Sequence, residues 1–115
     1  MDKPAVINAS PLIFLSRGQQ MELLRHFASR ILVPEPVANE ILMKGPEDIT
    51  AKALDSTSWL EVVPVVPVSE KILEWGLGPG ESSVLTFANE HPGMEAIIDD
   101  LAARKCAALH TRCVD

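Results

Sequence analysis

Three short runs constrain this chain most: Ala5-Val6-Ile7, Ile31-Leu32-Val33 and Ala96-Ile97-Ile98. Each is apolar at every position. A strand with one solvated face alternates apolar and polar residues, whereas a strand covered on both faces does not. Runs of this kind, separated by stretches of helical spacing, predict a parallel sheet with helices on both faces. Residues 59–63, Trp-Leu-Glu-Val-Val, read as a further strand, and Pro64 and Pro67 make its continuation an edge or an extended connection.

The intervening stretches predict the helices. Ser10 is a good N-cap and Pro11 suits a first helical position, with Leu12, Ile13, Phe14 and Leu15 buried behind them. Gly18 marks a break. Met21, Leu24 and Phe27 then fall at helical spacing, which predicts a second helix over residues 19–27. Pro34 ends the second strand and Pro36 opens a helix with Val37, Ile41 and Leu42 on one face and Glu40 on another. Gly45-Pro46 stops it, and Asp48 or Thr50 starts the next. Residues 70–75 predict one more short helix. Gly78-Pro79-Gly80 leads into a long helix opening with Glu81 and reaching about Glu90, and a last helix is expected over residues 101–109.

The 115 residues suit one domain, spanning residues 1–115, with no linker, repeat or low-complexity tract. No apolar run approaches the roughly 20 residues that span a bilayer, and the N-terminus lacks a secretory pattern. Cys106 and Cys113 give no disulfide framework, and with His110 they do not make a zinc signature. Reduced thiols in a cytoplasmic compartment are expected. The net charge of −6 argues against a broad, sequence-independent nucleic-acid binder. It is compatible with a nuclease, because metal-binding acids are themselves negative.

Candidate functional residues fall at the ends of the predicted strands and the starts of helices. Asn8 follows the first strand, Glu40 lies one turn into the helix after the second, Glu81 starts the long helix, and Asp99 and Asp100 end the last strand. In a parallel sheet all strand C-termini face one edge, where open α/β sheets place their ligands. Oxygen ligands from separate segments, without histidine or cysteine, suit Mg²⁺ or Mn²⁺. Each residue has a plainer role available. Glu40 could be a solvated helix face, Glu81 complements a helix dipole, and Asn8, Asp99 or Asp100 could cap a helix or turn. Their arrangement around one edge favours a site.

Four segments carry a resemblance: Val6-Ile7-Asn8-Ala9-Ser10-Pro11-Leu12-Ile13, Val33-Pro34-Glu35-Pro36-Val37-Ala38-Asn39-Glu40-Ile41, Gly78-Pro79-Gly80-Glu81-Ser82-Ser83-Val84, and Ile97-Ile98-Asp99-Asp100-Leu101-Ala102-Ala103-Arg104. In this order the chain resembles the PIN domain family, in particular VapC-like toxins and their uncharacterised relatives. The resemblance implies a three-layer α/β/α sandwich on a short parallel sheet and Mg²⁺- or Mn²⁺-dependent hydrolysis of RNA. It also implies a small antitoxin as partner, and a homodimer. Glu40 and Glu81 match two of the family's acids, and either Asp99 or Asp100 the strand-end acid. Asn8 stands where the first acid belongs, with Ser10 as the small hydroxyl beside it. Arg104 is a candidate RNA phosphate contact, as are Arg17, Arg25 and Lys44, although scattered surface cations explain these as well.

Two features depart from the family. Asn8 offers a neutral carbonyl oxygen that attracts a cation less than a carboxylate does and cannot act as a base. The family also continues beyond its last acidic strand with a further strand and helices, whereas this sequence ends at Asp115, so a shortened member, a fragment or a decayed gene product is expected, and a missing edge strand would leave a sheet edge exposed. Two functions are therefore set against each other: a metal-dependent ribonuclease, and an inactive interaction module binding an antitoxin-like partner or itself. A phosphoryl-accepting receiver-like switch is disfavoured, because no strand delivers Lys71 or Lys105 to the acidic edge.

Overall fold

The computed structural model describes residues 4–64, 67 and 78–98. Four parallel strands, β1 (Pro4–Ile7), β2 (Arg30–Pro34), β3 (Leu60–Val63) and β4 (Glu95–Ile97), form one sheet in the order β3-β2-β1-β4. Among the described residues five helices accompany them: α1 (Ala9–Arg17), α2 (Leu23–Phe27), α3 (Glu35–Leu42), α4 (Ile49–Ser56) and α5 (Pro79–Glu90). Among the described residues no helix is long and apolar enough to cross a membrane.

Ala5, Val6 and Ile7 of β1 and Ile31, Leu32 and Val33 of β2 are all buried. Successive strand residues point to opposite faces, so burial at every position requires cover on both sides of the sheet. This is the arrangement expected from the uniformly apolar runs. β3 lies at an edge, as its following prolines imply, and Val62 there is half exposed. Arg30, the first residue of β2, donates to the Glu61 carboxylate of β3 over 2.6 and 3.0 Å. That bond holds the Glu61 carboxyl below its ordinary range.

Several helix boundaries differ from the expected ones. α1 begins at Ala9, so Asn8 takes the N-cap position and Ser10 and Pro11 lie inside the first turn. The Asn8 side chain does not cap, because it is bonded elsewhere. The expected helix over residues 19–27 contracts to Leu23–Phe27. Here the amides of Gln19 and Gln20 bond to the carbonyls of Ser16 and Leu15, closing α1 with a Schellman motif whose left-handed residue is Gln19, at φ 57°. Backbone committed to ending one helix cannot begin the next. Asp48, by contrast, caps α4 as expected, accepting from the amides of Thr50 and Ala51 at 3.0 and 3.1 Å. A buried hydrogen bond of 2.7 Å between Ser16 and Thr50 then joins α4 to α1. α5 starts at Pro79, two residues before Glu81, and β4 ends at Ile97 rather than Ile98. The helices expected over 70–75 and 101–109 lie outside the described residues, as does the expected C-terminal shortening.

Candidate metal centre

The chain runs from β1 outward to β2 and β3, then returns to place β4 on the other side of β1. The strand order therefore reverses between β1 and β4. In open parallel sheets the crevice beyond the strand C-termini at such a reversal is where ligands bind. Asn8, the first residue after β1, sits at this point. Its backbone N–H donates to the Ile97 carbonyl at 2.9 Å, and its side-chain amide donates to the Ile98 carbonyl at 3.4 Å. A carbonyl oxygen can only accept. The amide nitrogen of Asn8 must therefore face Ile98, which turns its Oδ1 the other way.

That oxygen faces Gly80, in the first turn of α5. A Cβ placed on Gly80 would lie 3.3 Å from Asn8 Oδ1, 3.1 Å from Glu40 Oε1 and 3.5 Å from Val37 Cγ2. One methyl-sized space above the Gly80 backbone thus touches oxygens from two segments that are far apart in sequence. α3 supplies Glu40 because Val37 and Ile41, both fully buried, fix the face it turns inward. Glu40 stands on the neighbouring, exposed part of the helix, as its spacing implies. Glu81 follows Gly80 on the same turn of α5 and is half-buried.

Two oxygens from separate segments thus stand beside Gly80, and all-oxygen donors suit a hard divalent ion. Among the described residues no three Asp, Glu, His or Cys side chains converge as a metal cluster. The described part of the candidate set is Asn8, Glu40 and Glu81. Asp99, Asp100 and Arg104 lie outside the described residues.

Two depressions flank Glu40. One of about 760 Å³ is lined by Glu35, Pro36, Asn39, Met43, Gly78 and Pro79 as well as Glu40, and lies between α3 and the start of α5. The other, of about 370 Å³, is lined by Ser10, Ile13, Phe14 and Arg17 of α1 together with Glu40. Ser10, exposed on α1, therefore borders the site although it is not the N-cap. The remaining cations are distributed differently. Arg17 reaches the second depression, with the Asp48 carboxylate 3.9 Å away. Arg25 lies over the Trp59 ring and 3.5 Å from Glu22. Lys44 is exposed beyond the end of α3. Sequence reasoning missed Gly80. Its signal was the glycine directly before Glu81, inside a helix where alanine is favoured.

The sequence model of the PIN domain family matches residues 4–111, nearly the whole chain. The chain belongs to the PIN domain family. Its parallel sheet with flanking helices is accordingly a nuclease-type fold. No curated protein and no solved structure matches it.

Proposed function

We propose that this PIN domain is a divalent-metal-dependent ribonuclease that hydrolyses RNA phosphodiester bonds. The observation that carries the reading is the convergence of Asn8 Oδ1 and Glu40 Oε1 over Gly80 at the strand-order reversal. Asn8, Glu40, Glu81 and one or both of Asp99 and Asp100 would hold one or two Mg²⁺ or Mn²⁺ ions. When bound, such an ion polarises the phosphoryl group and makes a neighbouring water a nucleophile near neutral pH. The chain's own residues orient the reaction. The bonds from Asn8 to Ile97 and Ile98 fix its side chain, which would offer Oδ1 to the ion, and the glutamates would supply the negative charge that a neutral Asn8 lacks. Ser10 borders the site and helps to position water. Arg17, beside Ser10 and Glu40, and Arg104 are the phosphate contacts. Water adds to phosphorus, the P–O bond to one ribose breaks, and that ribose oxygen leaves with a proton.

A role as the toxin of a toxin–antitoxin pair fits this activity, and a small protein antitoxin would be its partner. The test is cleavage of a mixed single-stranded RNA panel with Mn²⁺ by the wild-type chain and by Glu81→Gln. Cleavage by the wild type alone supports the reading, and equal cleavage by both proteins refutes the site.

Two observations favour a second reading, an inactive binding module. Asn8 cannot act as a base, and Met43, 86 % exposed, borders the 760 Å³ groove beside Glu40. Under this reading a folded protein has no turnover, and the groove side binds an antitoxin-like protein or a second copy. Absence of Mn²⁺-dependent cleavage by well-folded wild type would select it.

A further inference from the structure

We infer that Gly80 is a positioning residue of the ion site. Its missing side chain leaves the space in which Glu40 stands next to Asn8. The inference rests on the divalent-ion reading above and concerns how that site is held together.

Ordinary van der Waals contact of a Cβ begins near 3.4 Å, and real Cβ atoms rarely approach closer than 3.0 Å. On Gly80, a Cβ would meet Val37 at an ordinary distance but crowd both Asn8 Oδ1 and Glu40 Oε1. The two oxygens differ in their freedom to yield. Asn8 is held by two bonds, from its amide N–H to Ile97 and from its side chain to Ile98. Glu40 is exposed, and the atom crowded is the far end of its flexible side chain. Relief therefore comes from Glu40, whose carboxylate turns out to water at little cost.

Stability and ion binding should then separate. Gly80 lies in α5 without a positive φ, so alanine fits its backbone and lowers the entropy lost on folding. Gly80→Ala should leave the metal-free melting temperature unchanged or higher. The same change moves a first-contact oxygen away from the ion. Mn²⁺ binding should weaken by at least ~10-fold, the lower end of the loss seen when a residue supporting a metal ligand is removed. A purely structural glycine would behave in the opposite way, losing stability and keeping the ion.

Gly78 provides the control. It is the N-cap of the same helix, and nothing lies within 4 Å of a Cβ added there. The experiment measures Mn²⁺ affinity by calorimetric titration and metal-free melting by circular dichroism. It compares wild type, Gly80→Ala, Gly78→Ala, Glu40→Ala and the Gly80→Ala/Glu40→Ala double variant. Weaker binding in Gly80→Ala, retained binding in Gly78→Ala, and no further loss when Gly80→Ala is added to Glu40→Ala support the inference. Wild-type affinity in Gly80→Ala, or losses that add in the double variant, overturn it while leaving the ion site standing. No Mn²⁺ binding by the wild type overturns both the site and the inference.

Discussion

Asn8→Asp perturbs the site at its least family-like position, and its cost can be worked from the contacts. The Asn8 side chain donates to the Ile98 carbonyl at 3.4 Å. An ionised carboxylate cannot donate, so the variant loses this bond, worth about 0.5–1.5 kcal/mol. It also faces a second carboxylate, Glu40, across the space over Gly80. At a few ångströms and an effective dielectric of about 20–80, that repulsion is about 1–3 kcal/mol. The metal-free variant should therefore lose roughly 1.5–4.5 kcal/mol, or about 6–18 °C in melting temperature for a domain of this size. A divalent ion reverses the balance, because the added charge now attracts it. Ligand at 100 times its Kd stabilises the folded state by about 2.7 kcal/mol, enough to offset most of the deficit. Differential scanning calorimetry in EDTA and in Mn²⁺ reads both terms. The variant should melt lower in EDTA, and Mn²⁺ should raise its melting temperature more than it raises that of the wild type. Equal melting in EDTA, together with a Mn²⁺ shift no larger than the wild type's, would refute the geometry assigned to Asn8.

Three further outcomes follow from the fold. Gln19 holds the left-handed position that closes α1, at φ 57°. Gln19→Gly should raise stability by up to about 1 kcal/mol, the scale of relief at such a position, as measured by urea denaturation. Ser16→Ala leaves the fully buried Thr50 hydroxyl without its 2.7 Å partner. It should cost about 1–3 kcal/mol, and adding Thr50→Val should recover part of that loss. Glu61 has its carboxyl held down by the hydrogen bond from Arg30. Its contribution is therefore present above the ordinary carboxylate range and lost as pH falls through its lowered value. The pair is exposed, so the stability gap between wild type and Glu61→Gln should be small at neutral pH and vanish in acid, which pH-dependent melting will show.

The central strands β1 and β2 were legible because burial on both faces leaves a direct mark, an unbroken run of apolar residues. The α4 cap was legible for a similar reason, since Asp48 acts through its own neighbours. Helix ends at α1 and α2 were not. Gly18 does mark the end of α1, as its C-cap, but Gln19 adopts a conformation usually taken by glycine and delays the start of α2 to Leu23. Ser10 and Pro11 predicted a helix starting at Pro11 behind a Ser10 cap, but α1 starts at Ala9 behind Asn8, whose side chain is drawn away from capping to Ile98, 90 residues along the chain. Local capping preference is blind to such a partner. Asn8, Glu40 and Glu81 could be listed as candidates from strand ends and helix starts. The role of Gly80 could not, because it depends on how close two helices and a strand end approach, a quantity fixed only by packing. The contribution of Asp99 and Asp100 stays with the family resemblance, since they lie outside the described residues.

The most direct test is anomalous diffraction from crystals grown with Mn²⁺. The predicted result is an anomalous peak over Gly80, in contact with Asn8 Oδ1 and the Glu40 and Glu81 carboxylates, that disappears in Glu40→Ala crystals. A well-ordered site at saturating Mn²⁺ with no peak there, or a peak held only by other residues, would contradict the account.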